Sequence, residues 1–302
     1  MQQSLPTVGW IGLGRMGEPM AERLLGAGWP LRVWARRPEA CAAAVAAGAV
    51  AVDSPAALAR ECDVVVTIVG DSTDVTALHA QMLPQARPGA VFIDMTTAAP
   101  ATARHSAALA ASHGAFVLDA PVSGGVAGAK QGTLAIFVGG ENAVLARAAP
   151  LLDLLGRHVV HCGDAGAGYR MKLVNQTMIA GTLLGLAEGA ALARSGGFRA
   201  ELLTRSLAHG TAGGRLFDAY STRMLGVTGE IAFTLGLLRK DVRLAREEAV
   251  AAGTSTRLLD VALAALDDAC AAHGEAQGVQ WLAAPAGGRG ALGMALLVGD
   301  RT

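Results

Sequence analysis

A β-branched run, TVGWIG (residues 7–12), passes directly into GLGRMG (12–17) and then into a helical stretch from about Met16 to Ala27. This strand–glycine turn–helix order constrains the fold more than any other feature of the chain. Gly12 permits a tight turn, Gly14 leaves the backbone open to a pyrophosphate, and Gly17 lets the helix pack on the strand. The helix N-terminus then faces the phosphates. With 39 glycines, a GxGxxG spacing alone means little. The flanking strand and helix make this one a dinucleotide-binding turn, with Leu13, Arg15 and Met16 completing it.

The rest of the first half repeats the alternation. LRVWA (31–35), VVVTIV (64–69), VFID (91–94) and FVLDAP (116–121) read as strands, with helices at 38–48 and from Pro100 to about Ser112. LAIFVGG (134–140) and HVVHC (158–162) extend the series around a helix from about Asn142. Strands alternating with helices predict an α/β fold, an N-terminal Rossmann domain with a doubly wound parallel sheet. After Gly163 the strand signals stop. Helices with breaks near 195–197, 209–214 and 226–229 predict an all-α C-terminal domain, so the expected domains are residues 1–163 and 164–302. The Gly-rich tail from residue 284 matches no element.

Composition narrows the function. A length of 302 residues suits two domains. Lys plus Arg is 25 and Asp plus Glu is 25, so no global field favours nucleic acid or an anionic membrane. Cys41, Cys62, Cys162 and Cys270 are scattered, without metal spacing. With no signal peptide apparent, they suit a reducing, cytoplasmic setting, and no metal is expected. The apolar stretch 177–193 is interrupted by Glu188 and headed by Lys172 and Asn175. It reads as a helix buried between domains or subunits and not as a membrane span; a homodimer or homotetramer is expected.

The end of the second strand bears on which dinucleotide binds. NAD enzymes usually carry an acid there for the ribose, whereas NADP needs cations. Here Ala35 holds that place, and Arg36 and Arg37 follow. Their forked donors suit a phosphate; the alternative is two solvated surface arginines. The missing acid points to NADP in preference to NAD. The loops VGDSTDV (69–75) and DMTT (94–97) follow strands at the edge where ligands bind in such sheets. Val69 and Thr96 are therefore candidate cofactor contacts, although Thr96 is also placed to cap the helix after it. In DAPVSGG (119–125), Ser123 with the uncovered backbone of Gly124 and Gly125 is placed either to hold a carboxylate or to make a plain turn.

GAGYRMKLVNQ (166–176) sets Lys172 at the head of a long apolar helix, with Asn175 and Gln176 one turn later. Residues three and four apart share a helical face. A lysine in an apolar wall gives up its proton far more easily than a solvated one, which suits proton transfer. The seven histidines show neither metal spacing nor a clear base partner.

GLGRMGEPMA, DAPVSGG, GAGYRMKLVNQ and LLRKDVRLA (237–245) occur here in the order and spacing of the β-hydroxyacid dehydrogenase family, which the chain resembles over about residues 7 to 280. That family includes 3-hydroxyisobutyrate dehydrogenase, tartronate semialdehyde reductase and the glyoxylate/succinic semialdehyde reductases. The resemblance implies hydride transfer between a nicotinamide and a small carboxylate substrate. Lys172 would be the catalytic acid/base, Asn175 and Gln176 the orienting amides, and Ser123, Gly124 and Gly125 the carboxylate loop. Lys240 would close over cofactor and substrate, with Asp241 beside it. A free lysine has a pKa of about 10.4, and burial, Lys240 and an oxidised nicotinamide would all lower it. Two departures stand out: Arg23 replaces a frequent asparagine, with a structural effect expected, and Gln176 replaces a frequent second Asn. Which amide acts stays open. Imine reduction on the same scaffold is an alternative that Lys172 argues against. A catalytically inactive oligomerisation module is another, opposed by the joint presence of Lys172, Ser123 and the amides.

Overall fold

The computed structural model describes residues 5–284. Beyond Ala284, the Gly-rich tail lies outside the described residues. The chain divides into two compact units between Leu173 and Val174.

The first unit opens with β1 (Val8–Ile11), α1 (Gly17–Gly26) and β2 (Leu31–Trp34). A 3₁₀ turn at Pro38–Cys41 then leads into α2 (Ala42–Ala46), β3 (Val50–Ala51) and α3 (Pro55–Glu61). Next come β4 (Val64–Thr67), α4 (Ser72–Met82), β5 (Val91–Asp94), α5 (Pro100–Ser112) and β6 (Phe116–Asp119). The unit continues through β7 (Val122–Ser123), α6 (Gly125–Gln131), β8 (Leu134–Gly139), α7 (Asn142–Leu155) and β9 (Gly156–Gly163) into the head of α8 (Ala167–Ser195).

Among the described residues, one sheet holds every strand in the order β3-β2-β1-β4-β5-β6-β8-β7, with β9 also paired to β8. Helices cover both faces, so β1, β4 and β5 are buried at every residue and read as continuous apolar runs. Their alternation still sorts them. Trp10, Val64, Val66 and Ile93 enter one core with Met20 of α1 and Leu151 of α7. Ile11, Val65 and Phe92 enter the other with Leu58 of α3 and Met82 of α4.

Strands β3 to β6 are parallel throughout. Against a wholly parallel expectation, β8 runs antiparallel to β6 and β7. The connection from β7 to β8, residues 124–133, is shorter than the dozen or so residues of a parallel crossover. The strand order reverses at β1 and β4, which opens the ligand crevice at their carboxyl ends.

The second unit is helical, containing the rest of α8, then α9 (Ala200–Leu207), α10 (Arg215–Gly226), α11 (Leu235–Ala251) and α12 (Arg257–His273), with a closing 3₁₀ turn at Val279–Ala283. Arg194, near the end of α8, donates to the carbonyls of Met224 (2.7 Å), Leu225 (3.2 Å) and Ala283. One guanidinium thus satisfies two of the orphan carbonyls at the end of α10 and ties the closing 3₁₀ turn to α8. Among the described residues, no helix is long and apolar enough to cross a membrane, and no cluster of His, Cys, Asp or Glu could hold a metal ion.

Candidate active site

The glycine turn has the geometry its sequence demands. Gly12 sits at φ +102°, and a Cβ there would overlap the Ile68 carbonyl oxygen; one at Gly17 would overlap the Gly12 carbonyl. Gly14 is exposed, and a Cβ on it would meet nothing within 4 Å. The backbone between β1 and α1 is therefore pressed against the end of β4 at Gly12, folded on itself at Gly17, and open to approach at Gly14. Leu13 is buried, Met16 half-buried against the core, and Arg15 exposed. An open backbone at the head of a ten-residue helix suits a pyrophosphate. The departure at position 23 is structural: Arg23 donates to the carbonyls of Leu154 (2.8 Å) and Lys130 (3.2 Å), lacing α1 to α7 and α6.

At the end of β2, Arg36 and Arg37 are exposed. Arg36 pairs with Asp74 of α4 at 2.7 Å, an acid that no local pattern around β2 reveals. Asp71 caps the same helix, accepting the N–H groups of Thr73 and Asp74. An exposed pair of this kind contributes about 0–1 kcal/mol, so Arg36 can exchange Asp74 for a phosphate at little cost.

Thr96 is buried, and its hydroxyl accepts the N–H of Val69 at 3.0 Å, joining the loops after β4 and β5. It does not cap α5. The N-cap there is Ala99, which lacks a side-chain cap. Ser123 ends β7, paired with Ala135, and Gly124 and Gly125 follow exposed at φ +137° and +63°. The small-residue segment is thus a short strand and a helix head, not a plain loop.

The head of α8 is pressed onto the ends of β6 and β8. A Cβ on Gly168 would overlap the carbonyls of Asp119 and Phe137. Asp119 accepts the N–H groups of Gly166 and Tyr169, both at 2.8 Å, and so caps the helix. Burial pushes the Asp119 carboxyl up to about 6, against the pull of those N–H bonds. Tyr169 donates its hydroxyl to Asp94 at 2.6 Å, and Thr67 donates to the other oxygen of the same carboxylate. Burial first, then Asp94, pushes the Tyr169 phenol well above its ordinary range. Sequence reasoning singled out none of Asp94, Asp119 or Tyr169. The available signal was an acid closing each of two apolar strand runs, VFID and FVLD.

Lys172, one turn beyond Tyr169, is 7% exposed. In the second unit, Asn175 donates to Gln176 at 2.9 Å, and the buried Gln176 donates to Asp241 at 2.6 Å. Lys240 pairs with Asp241 at 3.1 Å. Asn175, Gln176 and Lys240 are thereby joined through Asp241, and Gln176 spends both ends of its amide within that line. Lys240 also lines an open hollow of about 440 Å³ with Thr234, Arg239, Arg243 and Glu275.

Comparison with known proteins agrees with this architecture. Residues 7–163 match the NAD binding domain of 6-phosphogluconate dehydrogenase, and 166–285 match the NAD-binding domain of NADP-dependent 3-hydroxyisobutyrate dehydrogenase. The NAD-dependent L-serine dehydrogenase of Pseudomonas aeruginosa is 36% identical over 85% of this chain and 89% of its own length. The structure of Mycobacterium tuberculosis 3-hydroxyisobutyrate dehydrogenase with L-serine aligns at TM-score 0.85 and 32% identity, covering 92% of this chain and 98% of that one. A structure of Psf3 in complex with NADP+ and 2-OPP aligns equally well, at 0.85 and 28% identity, over 91% and 98%. With the glycine turn inside the first of these two matches and the lysine helix and the helices after it inside the second, the chain belongs to the β-hydroxyacid dehydrogenase family and is an NAD(P)-dependent 3-hydroxyacid dehydrogenase of the 3-hydroxyisobutyrate dehydrogenase type.

Proposed function

We propose that this protein moves hydride reversibly between NADP(H) and a small 3-hydroxy acid or its semialdehyde, or a 2-keto acid, with Lys172 as general acid/base. The observation that carries the reading is a lysine only 7% exposed, one turn into a helix whose head is held by a buried carboxylate. Lysine is rarely kept so far from water without a task.

The donor set suits the cofactor. The exposed backbone at Gly14 and the head of α1 can take the pyrophosphate, with Val69 and Thr96 beside the nucleoside end of the loops. Arg36 and Arg37 suit the 2′-phosphate. When bound, the nicotinamide supplies or accepts the hydride. Lys172 gives its Nζ proton to the carbonyl oxygen in reduction and takes one from the hydroxyl in oxidation. Ser123 and the backbone of Gly124 and Gly125 hold the substrate carboxylate. Asn175 is the amide turned to substrate in this reading, because Gln176 is occupied in orienting it. Lys240, with Asp241, covers cofactor and substrate. Residues 1–163 would carry NADP(H) and 164–302 substrate selection and dimerisation, in a cytoplasmic homodimer or homotetramer.

A relative named for NAD and L-serine, and a solved structure holding NADP+, make both choices measurable. Rates with NADPH on glyoxylate, succinic, tartronate and methylmalonate semialdehydes, and with NADP+ on 3-hydroxyisobutyrate and L-serine, identify the substrate. Tight NADPH binding with no turnover on any of them favours an oligomerisation module or a substrate outside this set. The double variant Arg36→Ala, Arg37→Ala should raise KM for NADPH roughly 10- to 100-fold, the value of one or two charge-assisted phosphate bonds. KM for NADH should barely move. Equal losses for both cofactors would remove the NADP assignment.

A further inference from the structure

Two buried groups at the root of α8, Asp94 and Tyr169, have no part in the roles above. Tyr169 precedes Lys172 by three residues, so the two share a helical face. Its N–H ends on Asp119 at the end of β6, and its hydroxyl ends on Asp94 at the end of β5. Asp94 also accepts the Thr67 hydroxyl from the end of β4 and the Thr96 N–H at 2.9 Å. Thr96 in turn receives Val69. A continuous line of hydrogen bonds therefore runs from the helix turn before the lysine to both loops read as cofactor contacts.

The tyrosine ring is 1% exposed and packs with Val75, Ala98 and Ala103. Phenylalanine would fill that pocket, and a hydroxyl buried there is costly unless it is bonded. Asp94 already has two other donors. What the phenol adds is a link between the strand ends and the helix. We propose that Tyr169 is a positioning residue: through Asp94 it sets the rotation and depth of the first turn of α8, and so the place from which Lys172 transfers its proton. This rests on the role assigned to Lys172 above.

The test compares the parent, Tyr169→Phe and Thr67→Val in kcat, KM and the pH profile of kcat from pH 6 to 10. Tyr169→Phe should lower kcat roughly tenfold or more, since small misplacements of a reacting group are expensive. Cofactor KM should stay within about twofold, and the alkaline limb of the profile should move. Thr67→Val takes a donor from the same carboxylate without touching α8, so it should lose comparable stability while keeping kcat and the limb. A Tyr169→Phe enzyme with parental kcat and limb overturns the proposal, and so does a Thr67→Val enzyme in which both shift equally. If Tyr169→Phe does not fold, Asp94→Asn decides. Its amide oxygen still accepts the phenol, so near-parental kcat supports the tether, and a tenfold loss overturns it. Lys172→Ala separates the two levels. Turnover that survives it removes the lysine's role and the tether with it. Turnover that it abolishes, with Tyr169→Phe unaffected, removes only the tether.

Discussion

Lys172→Ala is expected to lower kcat by roughly 10²- to 10⁴-fold, the usual contribution of a positioned acid/base. NADPH binding, measured by fluorescence or calorimetry, should stay close to parental, because the residues assigned to the pyrophosphate and the 2′-phosphate lie on the glycine turn and the end of β2. The fold should survive, because alanine is the best helix former. Lys172→Met, which keeps most of the packed volume, should be equally inactive. If instead the methionine variant kept substantial turnover, packing and not proton transfer would be the role of this side chain. A variant retaining most of its kcat in either form would end the assignment.

Asp119→Asn should be the next most damaging change to activity, and the gap in stability between parent and variant should depend strongly on pH. The carboxylate accepts two N–H groups, Gly166 and Tyr169. An amide offers one oxygen and sets an NH₂ donor against the other N–H, so the head of α8 loses a bond and gains a repulsion. A shift of about 1 Å in the helix that carries the lysine is enough for roughly a 10²-fold loss of kcat.

Stability follows from the raised carboxyl. Its folded value, about 6, exceeds the unfolded 3.8. Between those values the folded chain holds a proton that the unfolded chain releases, so this group's contribution is full below 3.8 and is lost as pH rises through 6. Asparagine has no such term. Urea unfolding of parent and variant should therefore show the parent gaining on the variant by about 2 kcal/mol between pH 7 and pH 4.5, at 1.36 kcal/mol per pH unit. A difference flat across that range would mean that Asp119 titrates normally and that burial does not control it.

Local sequence carried much of the fold because its signals act over a few residues. Pro100 at the first helical position and the Ala-rich run behind it mark α5, which spans Pro100–Ser112. The helix expected over 38–48 begins instead with a 3₁₀ turn at Pro38–Cys41. The two-residue strands β3 and β7 are too short to show a period, and α3, α4 and α6 lie in stretches whose apolar pattern marks no clear element. The direction of β8 depends on the length of a connection, not on any property of LAIFVGG.

What the amino-acid order determined alone was therefore the fold class, the glycine turn, the lysine helix and the family. Each rests on periodicity, on a φ only glycine adopts, or on motif spacing. Tertiary structure decided how those parts are held. Asp94 meets Tyr169 across 75 residues, Asp119 meets it across 50, Arg36 meets Asp74 across 38, and Gln176 meets Asp241 across 65. No local pattern encodes such pairs, since a polar residue at a strand end or helix face reads the same whether it meets water or a distant partner. For Asp94, Asp119, Tyr169, Gln176 and Asp241 burial supplies the difference: once the sheet and helices close over these groups, each must find its partner or carry the full cost of leaving water.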